Sequence, residues 1–179
     1  MTFTHAAGTN LEMAIHIIVD GYNLIGSQKG LGRDLAGLRD WLIQELQQYR
    51  RQKGHPVTVV FDGWLSGLGR EVEARSGGIH VIFSRIGEKA DEVIKRLARQ
   101  EGSGCVVVSS DREVRRAVEG YGAVPIHAEE FIAKLRNSDE GGFDEGEQDS
   151  EPPRNYEKKG NPRRLSKSER RKREKFRKL

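Results

Sequence analysis

Short apolar runs recur along the chain and are separated by longer polar segments. Runs of β-favouring, mostly apolar residues at 16–19, 57–61, 79–83 and 105–108 predict four buried strands, and a shorter strand is expected near 123–126. Because these runs are nearly continuous in apolar residues, they are typical of strands buried on both faces, as in a parallel sheet.

The segments between the strands have apolar residues three and four positions apart, which predicts amphipathic helices. Helices are expected over 31–54, 88–101 and 129–136, with another starting near Asp111, whereas the glycine-rich stretch 63–78 is expected to be a loop. Strands that alternate with helices predict an α/β fold with a mostly parallel sheet of about five strands and helices on both faces.

Charge divides the 179-residue chain into parts of opposite sign. Residues 154–179 carry 13 Lys or Arg against 3 acids, a net charge of +10, and the rest carries −6. The sequence therefore predicts a disordered N-terminal extension at 1–14, a globular domain at 15–136, a disordered acidic linker at 137–153 and a disordered basic tail at 154–179 that is able to form a helix when bound.

Composition and motifs argue against several classes of protein. The single cysteine, Cys105, allows no internal disulfide, and the five histidines lack metal-ligand spacing, so a reducing cytoplasm is expected. No segment has the length and apolarity of a membrane span or the pattern of a signal peptide. Phosphate-binding P-loop and dinucleotide motifs are missing, and Tyr22 stands where a haloacid-dehalogenase-like phosphatase needs a second acid.

Carboxylates mark the ends of the predicted strands. Asp20, Asp62 and Asp111 each follow a strand, and Asp91 lies in the first turn of the helix that follows another. In an open α/β sheet the carboxyl ends of the strands form the ligand-binding edge, so these side chains are expected to converge there. Grouped carboxylates repel one another unless a cation is present, which favours a site for Mg²⁺ or Mn²⁺.

Each acid also has a purely structural interpretation. Asp111 would be favourable at a helix start without any metal, and Ser110 with Glu113 fits a capping box there. Asp62 could be a turn residue, and Asn23, three residues after Asp20, could close an Asx-turn. Glu92, next to Asp91, could be a solvated helix residue.

Four motifs in order resemble the YacP-like branch of the NYN domains, which belong to the PIN-like ribonucleases. They are Ile-Ile-Val-Asp-Gly-Tyr-Asn-Leu-Ile at 17–25, Val-Val-Phe-Asp-Gly at 59–63, Gly-Glu-Lys-Ala-Asp-Glu-Val-Ile at 87–94 and Val-Val-Ser-Ser-Asp at 107–111. The resemblance implies a Rossmann-like PIN fold over about residues 15–136 and metal-dependent cleavage of RNA.

By position, the resemblance assigns the catalytic pocket to four side chains: Asp20, Asn23, Asp91 and Asp111. The three aspartates would be the metal ligands, and Asp62 and Glu92 are further candidates. The chain departs from many NYN nucleases in having Asp91-Glu92 instead of two aspartates and Arg115 where a further acid occurs, so a second metal is not implied.

The resulting hypothesis is a metal-dependent RNA endonuclease that hydrolyses phosphodiester bonds to leave 5′-phosphate and 3′-hydroxyl ends. Asn23 would position the phosphate or a water. The tail would recruit RNA or the ribosome through basic residues, for which the candidates are Arg163, Arg164, Lys167, Arg170, Arg171, Lys172 and Arg173. The alternative is a module on a PIN-like fold that binds RNA or ribosomes but has little or no catalytic activity.

Overall fold

The computed structural model of the protein describes residues 14–32, 34–63, 69–139 and 166–179. Its strands are β1 (His16–Asp20), β2 (Val57–Phe61), β3 (Val72–Ser76), β4 (Ile79–Phe83), β5 (Cys105–Val108) and β6 (Val124–Ile126). Its helices are α1 (Gly21–Gln28), α2 (Leu35–Lys53), α3 (Ala90–Glu101), α4 (Arg112–Gly120), α5 (Ala128–Asp139) and α6 (Lys167–Lys178). The mixed α/β architecture confirms the predicted fold class.

The sheet has the strand order β3-β4-β2-β1-β5-β6. All neighbouring pairs are parallel except β3 and β4, which are antiparallel. The central strand β1 lies between β2 and β5, with Val19 opposite Val59 on one side and Val108 on the other. The chain order therefore reverses at β1, and a crevice at the carboxyl end of that strand is the expected place for a ligand.

Side chains alternate across the sheet and build a core on each face. Ile17 and Val19 of β1 point to the face covered by α1, α2 and α5, whereas Ile18 points to the face covered by α3 and α4. The strands other than β3 are largely buried because they lie between these two layers of helices, which explains their nearly continuous apolar sequence.

The edge strand β3 is the strand that the hydrophobic pattern did not predict. The stretch 63–78 was expected to be a loop, but Val72–Ser76 pairs with Ile79–Phe83 through the two-residue turn Gly77-Gly78. Both glycines have positive φ, 54° and 85°, as such hairpin turns require. β3 carries charged, mostly exposed side chains because it forms the edge of the sheet, where charge opposes further pairing.

The helix α1 was not predicted. Asp20 was expected to lead into a turn, but its side chain caps α1, which starts at Gly21. The predicted helix over 31–54 starts only at Leu35, capped by Asp34, and Leu31 is 59% exposed in the connection before it. Its predicted end is confirmed by Gly54, which adopts the left-handed conformation at the C-cap.

The last part of the basic tail is the helix Lys167–Lys178, which corrects the expectation of disorder there. Leu179 is completely buried, and Phe176 packs against the same core cluster. The Tyr49 hydroxyl donates to the Leu179 carbonyl at 3.2 Å. Parts of three predicted segments lie outside the described residues: 1–13 of the extension, 140–153 of the linker and 154–165 of the tail. The helix α5 extends three residues past the predicted domain end at 136, into the segment predicted to be the linker.

Among the described residues, no helix combines the length and the apolar character needed to cross a membrane.

Candidate active site

The Asp20 carboxylate lies at the carboxyl end of the central strand and is only 7% exposed. Its Oδ1 accepts from the Asn23 backbone N–H at 3.3 Å, and its Oδ2 accepts from the Ser109 hydroxyl at 3.2 Å. Ser109 follows β5, the parallel neighbour of β1, so the register of the two strands brings it to Asp20. The carboxylate is therefore fixed by one bond from its own helix start and one from the adjacent strand.

The pKa of Asp20 is raised from 3.8 to about 6, and burial is the largest cause. The charges of Asp91 and Asp111 contribute to the rise, whereas the bonds from Asn23 and Ser109 lower the pKa. The two hydrogen bonds thus do not compensate for the loss of hydration and the repulsion between carboxylates.

Asp111 caps α4. Its Oδ1 accepts from the backbone N–H groups of Glu113 at 2.6 Å and Val114 at 3.2 Å. The predicted capping box of Ser110 and Glu113 is wrong, because the cap lies one residue later and Glu113 pairs with Lys95. The Asp111 backbone N–H donates to the Ser109 hydroxyl at 3.1 Å, so Ser109 connects Asp20 to the residue that caps α4.

Asp91 is the second residue of α3 and is partly buried. Its pKa is raised first by burial and then by the charge of Asp111, while Lys95 and Lys89 lower it. Because its charge also acts on Asp20, the carboxylate belongs to the same group and is more than a solvated charge in a first helical turn. Asp20, Asp91 and Asp111, the three aspartates predicted to be ligands, thus interact through their charges.

Asn23 connects two loops rather than closing an Asx-turn. Its Oδ1 accepts from the Ser110 backbone N–H at 2.7 Å, a contact between residues 87 positions apart. The side chain therefore ties the start of α1 to the loop before α4. The Ser110 hydroxyl lies 3.4 Å from both the Ser27 hydroxyl and His127 Nδ1.

Ser109 and Ser110 were not predicted as site residues. The only signal for them is the Ser-Ser-Asp that follows a buried strand, and that signal does not identify their partners.

The two further candidates occupy different surroundings. Asp62 follows β2 and lies beside Tyr22, whose pKa is raised first by burial and also by the Asp62 charge. Glu92 is exposed on α3 and pairs with Lys95 at 3.1 Å, which agrees with its interpretation as a solvated helix residue. Neither of these contacts supports metal binding by Asp62 or Glu92.

Carboxylate oxygens are hard ligands that suit Mg²⁺ and Mn²⁺. In the described part of the chain, however, no three His, Cys, Asp or Glu side chains are grouped closely enough to hold a metal ion together. The arrangement fits a hydrated cation that one or two carboxylates bind directly, which is how Mg²⁺ is usually held in proteins. The repulsion among Asp20, Asp91 and Asp111 is the property that a cation would relieve.

The seven predicted RNA-binding residues fall into three groups. Arg163 and Arg164 lie outside the described residues. Lys167, Arg170 and Arg173 are exposed on α6. Arg171 and Lys172 instead help to hold α6 on the domain, by donating to the Gly122 carbonyl at 3.3 Å and the Glu130 carboxylate at 3.1 Å.

A mostly parallel sheet with helices on both faces and acidic side chains at its carboxyl edge is a Rossmann-like domain of the PIN-like class. Comparison with known proteins gives the family. The model of the YacP-like NYN domain matches residues 17–178, and the chain belongs to that family. NYN domains have a PIN-like ribonuclease fold. The match includes α6, so this helix is part of the family domain.

Proteins from Bacillus subtilis are among those similar to this chain. The uncharacterized protein YacP is 35% identical over 127 residues, which are 66% of this chain and 74% of that protein. The crystal structure of Rae1 (YacP) has a TM-score of 0.58 at 31% identity, covering 72% of this chain and 76% of that one. A tryptophan-to-leucine mutant of Rae1 has a TM-score of 0.60 at 30% identity, covering 70% and 77%.

Proposed function

We propose that the protein is a metal-dependent RNA endonuclease. Its active site would consist of three carboxylates, those of Asp20, Asp91 and Asp111. One observation carries the proposal: on a PIN-like ribonuclease fold, the Asp20 carboxylate is buried at the carboxyl edge of the sheet, where burial first and then the charges of Asp91 and Asp111 raise its pKa. Grouped negative charge of this kind costs stability, so a function that uses a cation explains why the chain keeps it.

The chain's own residues would divide the work. Asp20, Asp91 and Asp111 would hold a hydrated Mg²⁺ or Mn²⁺ that one or two of them bind directly, with Asp20 kept in place by Ser109. When bound, such a cation supplies charge for the phosphoryl oxygens and lowers the pKa of a coordinated water. Hydrolysis with departure of the 3′ oxygen would leave 5′-phosphate and 3′-hydroxyl ends.

Asn23 acts mainly as a positioning residue in this proposal. Because its Oδ1 is occupied by the Ser110 N–H, the group that remains for a phosphate oxygen is the Nδ2 donor. Its bond to Ser110 also fixes the loop that carries Ser109 and Asp111. Loss of the amide would therefore disturb the position of two carboxylates as well as any direct contact with substrate.

The test is cleavage of labelled single-stranded RNA by the purified chain with EDTA, Mg²⁺ or Mn²⁺. We expect cleavage only with a divalent metal, 5′-phosphate on the downstream product, and loss of cleavage in Asp20→Asn. Asp40→Asn is the matched control, because Asp40 is an exposed aspartate of α2. Equal cleavage by Asp20→Asn and Asp40→Asn would contradict the proposal.

A second candidate is supported by the absence, among the described residues, of three acids grouped for metal binding. A protein that binds RNA or ribosomes without cleaving RNA would need no such group. Binding of RNA with no cleavage in Mg²⁺ or Mn²⁺, with or without ribosomes, would favour this candidate.

A further inference from the structure

A groove lies between α4 and α6, and none of Asp20, Asp91 and Asp111 lines it. The groove encloses a volume of about 340 Å³ and is closed on a third side by β6. Four basic side chains line it: Arg112, Arg115 and Arg116 of α4, and Lys172 of α6. We call it the α4–α6 groove.

The three arginines lie on one face of α4, because residues three and four positions apart are neighbours on a helix. Within the described ranges, none of the three is within ion-pair distance of a carboxylate. By contrast, Lys95 and Arg96 of the neighbouring α3 each pair with two glutamates. Among the described residues, the three arginines of α4 are thus without a carboxylate partner, unlike Lys95 and Arg96.

Arg115 has a second unusual property. Its Nε is buried and has no hydrogen-bond acceptor in the described part of the protein. A buried donor without an acceptor is costly, and native structures seldom leave one unexplained. The Nε atom is closed to solvent, but Arg115 lines the groove, and a phosphate or carboxylate there suits the planar guanidinium.

The acids that line the groove are already engaged and weaken its positive charge only in part. The Glu119 carboxylate accepts from the Ser168 hydroxyl, and the Glu169 carboxylate accepts from the Ser166 N–H in the capping box of α6. The first contact holds α6 against α4, and the second fixes the start of α6. The acids therefore shape the groove, and the arginines remain its available binding groups.

The groove reaches the N-terminal end of α4, where Asp111 is the cap and the groove residue Arg112 follows it. Arg112 and Arg116 are separated by about 6 Å along the helix axis. This extent exceeds what a single phosphate needs and matches a ligand with successive anionic groups. We infer that the α4–α6 groove binds the phosphate backbone of single-stranded RNA beside the scissile bond, an inference that rests on the proposed function.

The experiment compares the double variant Arg115→Gln/Arg116→Gln with the charge-matched control Arg51→Gln/Arg136→Gln. Arg51 and Arg136 are exposed in the last turns of α2 and α5, and neither lines the groove. Binding of a labelled single-stranded oligoribonucleotide is measured in EDTA over a series of salt concentrations, so that cleavage does not contribute. A third variant, Arg115→Lys/Arg116→Lys, keeps the charge, and thermal unfolding of all variants verifies that they are folded.

We expect the groove double variant to bind RNA roughly tenfold more weakly at 50 mM salt, and the slope of log affinity against log salt to flatten by about 1.4, the value for two phosphate contacts on a single strand. The lysine variant should keep the slope, and the control should resemble the unmodified chain. Equal affinity and slope in the groove variant and the control would overturn the inference. So would displacement of the RNA by inorganic phosphate or by polyglutamate at equal charge concentration, which would indicate a free phosphate or an acidic protein as ligand.

The experiments distinguish a wrong inference about the groove from a wrong proposal of nuclease activity. If the groove variant loses RNA binding while the unmodified chain shows no metal-dependent cleavage, the groove stands and the nuclease proposal fails. If the chain cleaves RNA but the groove variant binds it as the control does, the nuclease proposal stands and the groove inference is wrong.

Discussion

Replacing Asp20 by Asn should stabilise the metal-free protein at neutral pH, even though it removes the central carboxylate of the site. The pKa of Asp20 in the folded state is about 6 against 3.8 ordinarily. A carboxyl group with a raised pKa contributes stability that is fully present below pH 3.8 and is lost as the pH rises through about 6. Above pH 7 the charged Asp20 lowers the free energy of unfolding by about 3 kcal/mol, since a pKa difference of one corresponds to 1.36 kcal/mol.

The hydrogen bonds of the variant offset part of this gain. In Asp20→Asn, the amide Oδ1 can still accept from the Asn23 N–H, but the amide Nδ2 must donate to the Ser109 hydroxyl, which in the unmodified chain donates to Asp20. Ser109 then needs another acceptor, at a cost of about 1 kcal/mol. The net effect is a stabilisation of about 2 kcal/mol at pH 7.5, which corresponds to a rise in Tm of roughly 6 °C for a chain of this size.

The assay is chemical and thermal unfolding in EDTA from pH 4 to pH 8, with Asp40→Asn as the exposed control. At pH 4 Asp20→Asn should be slightly less stable than the unmodified chain, because the lost hydrogen bond dominates there. The difference in free energy of unfolding should then shift in favour of the variant up to pH 6 and level off near pH 7. Mn²⁺ at about 100 times its Kd should stabilise the unmodified chain by about 2.7 kcal/mol and reverse the order at pH 7.5. A destabilised variant at pH 7.5 in EDTA, or a difference that does not change with pH, would refute the reasoning.

Three further predictions concern the surroundings of the site and are checked by urea unfolding together with RNA cleavage. Gly21→Ala should destabilise the fold by about 2 kcal/mol or more, because the added Cβ would lie 2.3 Å from the Phe61 ring; an unchanged midpoint would show that the ring moves away freely. Asn23→Ala should cost about 1 to 3 kcal/mol by leaving the Ser110 N–H without its partner, and should lower cleavage further than its stability loss explains. Deleting 167–179 should lower the unfolding midpoint as well as weaken RNA binding, because α6 covers part of the core; a truncated chain of full stability would mean that the helix is a separate appendage.

The amino-acid sequence determines much of the sheet and the identity of the acidic group. Each buried strand is a nearly continuous apolar run, so Asp20 at the end of β1 and Asp111 shortly after β5 could be assigned to the carboxyl edge from pattern alone. Asp91 could be assigned to the same edge because it lies in the first turn of the helix that follows a strand. These features are local, and periodicity reports local structure well.

Only the tertiary structure shows what these side chains contact. The bond from the Ser110 N–H to Asn23 joins residues 87 positions apart, and the bond from Tyr49 to Leu179 joins residues 130 apart. The basic composition of α6 indicated a free tail, yet its apolar side chains complete the core when β6 is beside them. The charged β3 likewise becomes a strand only because β4 offers an unpaired edge. Such contacts depend on which elements meet across the fold, and neither propensity nor periodicity within one segment carries that information.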